Sequence, residues 1–200
     1  MFQNNFCFKG SAMMFSRELA VILLLSSPAA FAGSVNLNLS SNAAQLEVGY
    51  LSNGNSEIQS GFLYNDLGSV LIDTGLIVNG GGGDQEASSG VSGGGGVKAI
   101  AAKIQQANTS NNAAGIAIGG QVSFPLPAAP TVAFGAEYYT ALRITTFGDA
   151  DRFTQFGFRV EIGPPHAKFF VGYRELNFEL IKTGEFSIDK GGYTGILLSF

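Results

Sequence analysis

The chain has 200 residues, enough for one domain, and 46% of them are hydrophobic against only 13% charged, where soluble proteins carry about 25%. A formal charge of −4 argues against a nucleic-acid partner, which would call for a basic face. One cysteine, Cys7, permits no internal disulfide and no cysteine-based metal site.

Residues 1–32 read as a targeting segment. Arg17 supplies the positive start, residues 19–25 (LAVILLL) the apolar run, and Ala30-Phe31-Ala32 the small-x-small cleavage pattern. Cleavage is expected before Gly33, and Met13 or Met14 is a candidate start. The apolar run is short for a membrane helix, so a retained anchor is the lesser alternative. No later segment has 18 consecutive apolar residues.

From there the chain alternates apolar and polar residues with period two, the pattern of half-exposed strands. Strands are expected near 34–40, 45–52, 57–64, 68–78, 97–106, 114–124, 131–141, 153–162, 167–181 and 192–200. Asn53-Gly54-Asn55, Asn65-Asp66, residues 125–130 and Gly163-Pro164-Pro165 mark turns. After Arg174 the alternation slips: Leu176, Phe178 and Leu180 take over the apolar phase, and a bulge is expected there. In the fifth strand Lys98 and Lys103 fall on opposite faces. Residues 79–96 carry two four-glycine runs. They lack the Gly-Lys-Ser/Thr ending of a phosphate loop and read as a flexible linker.

Alternation serves a soluble β-sandwich and a membrane barrel alike. Three features favour an all-β, antiparallel transmembrane barrel of about ten strands over residues 33–200, with eight strands as the fallback. The first is the targeting segment. The second is a set of aromatics near strand ends: Tyr50, Tyr64, Phe124, Tyr138, Tyr139, Phe153 and Tyr193, placed to form interfacial girdles. The third is the closing stretch, where Ile196, Leu198 and Phe200 alternate to the C-terminus. It resembles the closing strand that outer-membrane barrels present to their assembly machinery. The lumen is then expected to take Glu47, Glu57, Asp73, Lys103, Glu137, Arg159, Glu161, Lys168 and Arg174. In a narrow barrel such charges pair and fill the interior; the alternative is a small ion path.

Three stretches carry a family resemblance. Residues 134–139 (FGAEYY) resemble an FGEYYY-like strand, with Ala136 additional. Residues 171–177 (VGYRELN) resemble an AGYRYLNL-like strand, and residues 192–200 (GYTGILLSF) a closing strand. All three stretches resemble strands of the YfaZ family of outer-membrane barrel proteins. The resemblance implies a barrel in the outer membrane of a Gram-negative bacterium, sometimes described as porin-like. It brings no catalytic residues. Residues 79–96 depart from the family pattern, where a short turn is expected.

No enzyme chemistry is expected. Rim enzymes of this architecture resemble one another in using a histidine near the outer rim, whereas the single His166 lies in a Gly-Pro-Pro-His turn on the other side. Asp149 and Asp151 offer too few oxygens for a calcium cage. No cofactor and no metal site are expected. The sequence thus predicts a structural or porin-like protein with a largely filled lumen. Its partners are outer-membrane lipids, lipopolysaccharide and the assembly machinery. The alternatives are a surface binding module using loops 142–152 and 182–191, and a secreted β-sandwich.

Overall fold

The computed structural model describes residues 33–52, 55–80, 91–106 and 109–200. The targeting segment with Ala30 and Ala32, and the middle of the glycine-rich stretch, lie outside the described residues. The strands are β1 (Gly33–Ser40), β2 (Ala43–Ser52), β3 (Ser56–Asn65), β4 (Val70–Asn79), β5 (Ser92–Gln106), β6 (Thr109–Leu126) and β7 (Ala129–Ala141). A 3-10 turn, Arg143–Thr145, and the short β8 (Thr146–Gly148) lead to β9 (Ala150–Ile162), β10 (Ala167–Leu180) and β11 (Gly184–Ser199).

All pairings are antiparallel, and ten long strands close into one barrel. The order runs β5-β4-β3-β2-β1-β11-β10-β9-β7-β6, and β6 pairs back onto β5. β8 extends the edge of β6 at Ala113–Gly115, above the point where β7 leaves it. A single closed sheet replaces the two facing sheets of a sandwich. The first and last strands pair along their length, and the Phe200 amide donates to the Gly33 carbonyl at 2.9 Å.

The outward wall is apolar. Leu37, Val48, Ile58, Phe62, Ile72, Leu76, Ile118, Phe134, Phe158 and Val171 all stand exposed on it. A continuous apolar wall around a closed sheet suits lipid and not water. Tyr50, Tyr64, Phe124 and Tyr138 lie on this wall as expected. Tyr139, Phe153 and Tyr193 do not: they are buried inside. Neighbouring Tyr138 and Tyr139 point to opposite sides of a strand, so only one of them can face lipid.

The inside has two zones. Toward the terminal edge of the described barrel, where Gly33 and Phe200 lie, it is mostly polar. At the opposite end it is apolar, where Leu63, Leu71, Ile104, Leu176 and Phe178 are at most 1% exposed. There Phe153 and Phe178 pack with ring centroids 4.8 Å apart. On the outward face the same end turns polar, with Arg152, Glu179 and Glu185 exposed. The pattern thus inverts along β9, β10 and β11. In β10, Arg174 is inside with Tyr173 outside; farther on, Leu176 and Phe178 are inside with Asn177 and Glu179 outside. The phase never breaks, and the expected slip in β10 is this change of surroundings. The bulge sits in β11 instead, where Leu176 pairs with Asp189 and Asn177 with Ser187. That leaves Ile188 unpaired and turns both Ile188 and Asp189 inward.

The glycine-rich stretch is not all linker. Gly93–Gly96 lie in β5, where Gly94–Gly96 pair with β4 and all four pair with Gly119–Val122 of β6. Nor is 182–191 a loop, since β11 begins at Gly184. Within 142–152 the 3-10 turn and β8 replace a long loop.

Neighbouring strands pack closely inside the wall. A Cβ at Gly119 would strike the Tyr138 carbonyl and the Tyr139 ring, whereas at Gly192 its nearest neighbour would lie 3.9 Å away. Gly119→Val should abolish the folded, heat-shifted gel band, and Gly192→Ala should keep it.

Candidate functional site: the polar lumen

Inward-facing polar side chains form separate clusters, each tying neighbouring strands. Arg174 of β10 is 2% exposed and donates from Nε to Asp189 Oδ2 of β11 at 2.9 Å. Its Nη2 reaches the same oxygen at 2.5 Å, and its Nη1 bonds Gln45 Oε1 on β2. The guanidinium also lies over the Tyr193 ring, 5.0 Å from its centre. Ser40 donates to the other Asp189 oxygen at 2.9 Å. A buried ion pair is tolerated only with its remaining hydrogen-bonding capacity met, and this one is met from four strands.

The same cluster continues through Gln45, whose Nε2 donates to Glu47 at 3.1 Å. Asn36 and Asn38 of β1 donate to the other Glu47 oxygen at 2.7 and 3.4 Å. Nearer the termini, Glu161 accepts from Arg159 at 2.7 Å and from Lys168 at 2.9 Å. Arg159 lies over the Phe170 ring at 5.2 Å. Lys98 is 2% exposed, 4.0 Å from Asp73, and 4.3 Å above the Tyr139 ring. Glu137 accepts from Gln155 at 2.9 Å. Glu57 accepts from Gln59 at 3.3 Å and from Ser34 at 3.5 Å. Cations over aromatic faces gain further attraction where water is scarce.

Glu47, Glu57, Asp73, Glu137, Arg159, Glu161, Lys168 and Arg174 thus all face inward. Lys103 does not. It is exposed on the outer wall, and Lys98 is the inward lysine of β5. Both faces of β5 are apolar near Lys103, because Ile100, Ala102 and Ile104 belong to the inner apolar zone, so alternation gave the two faces no label. Asp189 was also missed, since 182–191 reads as a loop whereas β11 begins at Gly184. The amides Asn36, Asn38, Gln45 and Gln155 carry much of the bonding. Their signal was polar residues in phase with Glu47 and Arg159.

Ile196, Leu198 and Phe200 face outward along the terminal edge of the wall. His166 is exposed in its turn on the same side. Asp149 accepts from the Asn112 amide at 3.0 Å, and Asp151 pairs with Arg143 at 2.9 Å. Both carboxylates thereby fasten the β7–β9 connection.

The profile of the YfaZ family, described as YfaZ precursor, matches residues 14–200. Among curated proteins there is no match. Three solved chains resemble this one, two of them as follows. The outer membrane channel DcaP of Acinetobacter baumannii has TM-score 0.39 and 10% identity, covering 82% of this chain and 54% of that one. The NanC porin has TM-score 0.41 and 12% identity, covering 86% of this chain and 99% of that one. The chain therefore spans about half the length of the first and nearly all of the second.

Removing one partner from the buried cluster should be costly. Arg174→Ala strands Asp189 and should lose about 3–5 kcal/mol of stability, read by urea unfolding from lipid vesicles. Arg152→Ala breaks an exposed pair of 3.8 Å and should cost less than about 1 kcal/mol. Equal losses would contradict the burial difference.

Proposed function

The chain belongs to the YfaZ family, and on that premise we propose that it is an outer-membrane barrel with a porin-like wall and a sealed interior. Its role is then structural, and it carries no reaction. One observation supports this above the rest. At the end away from the termini, apolar side chains from every long strand but β1 meet inside the barrel, among them Leu63, Ile104, Tyr139, Phe153, Leu176 and Phe178, each 1% exposed or less. Water does not reach them, and an ion path needs water. Below them Lys98, Arg174, Glu161 and Asp189 are also buried and paired. A small barrel filled by its own side chains behaves as a packed core.

On this reading the lumen charges hold neighbouring strands in register and do not line a path. Assembly machinery would read Ile196, Leu198 and Phe200 on the closing strand. The outer turns are short, which leaves the barrel wall as the larger surface for partners.

Residues 33–200, refolded and placed in a planar bilayer, should show a folded, heat-shifted band and no conductance. Discrete conductance steps that change with Arg159→Ala would mean an open, charge-lined path and would end this reading.

A further inference from the structure

A recess interrupts the outward wall at its junction with the polar outer rungs. Across β4, β5, β6 and β8, Ile72 pairs with Ala101, Ala101 with Ala114, and Ala114 with Phe147. Two small side chains between two tall ones make a furrow. It measures about 420 Å³ and is lined mostly by apolar atoms of Val70, Ile72, Ala101, Ala114 and Phe147, a volume in the range of ligand sites. One row farther from the termini, Val70, Lys103 and Asn112 pair in line. Lys103 is exposed there at the rim of the recess. Among the described residues it has no acidic partner, whereas Arg143, Arg152 and Lys190 on the same side each have one.

A furrow on a lipid-facing wall is occupied by hydrocarbon, because water there would lack partners. A lone ammonium at the polar margin attracts the negative part of a lipid head. Resting on the membrane placement above, we propose that this recess seats an acyl chain of a phosphate-bearing lipid. The lipid belongs to the leaflet away from the chain termini, and its headgroup phosphate meets Lys103. The site is built by side-chain size and one charge. It selects anionic over zwitterionic lipid of the same chain length.

Native mass spectrometry of the full chain, refolded in zwitterionic micelles, tests this. Phosphatidylglycerol and phosphatidylcholine with identical chains are supplied in equal amounts. The parent should retain phosphatidylglycerol about fivefold over phosphatidylcholine, and added salt should erode the preference. Lys103→Gln should abolish the preference and Lys103→Arg keep it. Ala101→Phe, which fills the furrow, should lower retention of both lipids. Lys182→Gln, in the β10–β11 turn, should change nothing. No preference in the parent, a preference insensitive to salt, or one surviving in Lys103→Gln would overturn the proposal. So would displacement of the lipid by inorganic phosphate, which would indicate a headgroup site without the furrow. The heat-shifted band, read on every variant, separates failure of this site from failure of the barrel itself.

Discussion

Inside a bilayer a backbone amide or carbonyl has no water to turn to, and each one left unpaired costs several kcal/mol. Closure of the sheet answers that constraint here. β1 pairs with β11 and β5 with β6, so each long strand has two neighbours. Once the ladder is complete, the outward side chains need only be apolar, and Leu, Ile, Val and Phe serve interchangeably. The inward ones are freed from contact with lipid and can form local clusters of their own.

Those clusters differ in kind along the barrel. Near the termini the inside is held by hydrogen bonds between adjacent strands, such as Asn36 to Glu47 and Lys168 to Glu161. Such bonds fix which strand residues sit opposite each other, because a one-residue slip would carry a charge to the lipid side. At the far end the inside is held by packing, with Phe153 against Phe178 and Leu176 beside them. The inside is thus of mixed construction, hydrogen-bonded toward one end and packed toward the other.

The strands were legible because lipid imposes period two on most of the wall. Positions such as Val48-Gly49-Tyr50 or Phe156-Gly157-Phe158 name their face at sight. The inner face was harder to read. Arg174, Leu176, Phe178 and Leu180 share one phase, and their change of character resembles a slip because the inner face turns apolar where the outer face leaves the lipid. Lys98 and Lys103 were exchanged for the same reason: near the apolar zone, an outward lysine is normal and an inward isoleucine is normal. Asp189 was hidden because 182–191 reads as a loop, whereas β11 begins at Gly184. Gly93–Gly96 reads as linker by composition, yet the partner strands supply Gly119 and Gly120 opposite, a complement that only pairing reveals.

The inversion along β9, β10 and β11 means that one sheet stands in two solvents. In lipid, apolar burial gives no drive, since hydrocarbon is as apolar as leucine, and the staves there rely on hydrogen bonds and fit. Beyond the lipid, Phe178 and Leu180 lie behind Asn177 and Glu179 like the core of a water-soluble sheet, and that part is stabilised by release of water. Such stabilisation weakens on cooling, whereas hydrogen bonds do not share that loss. The outer rungs of this barrel are therefore the part that chilling loosens first, while the membrane-embedded portion holds.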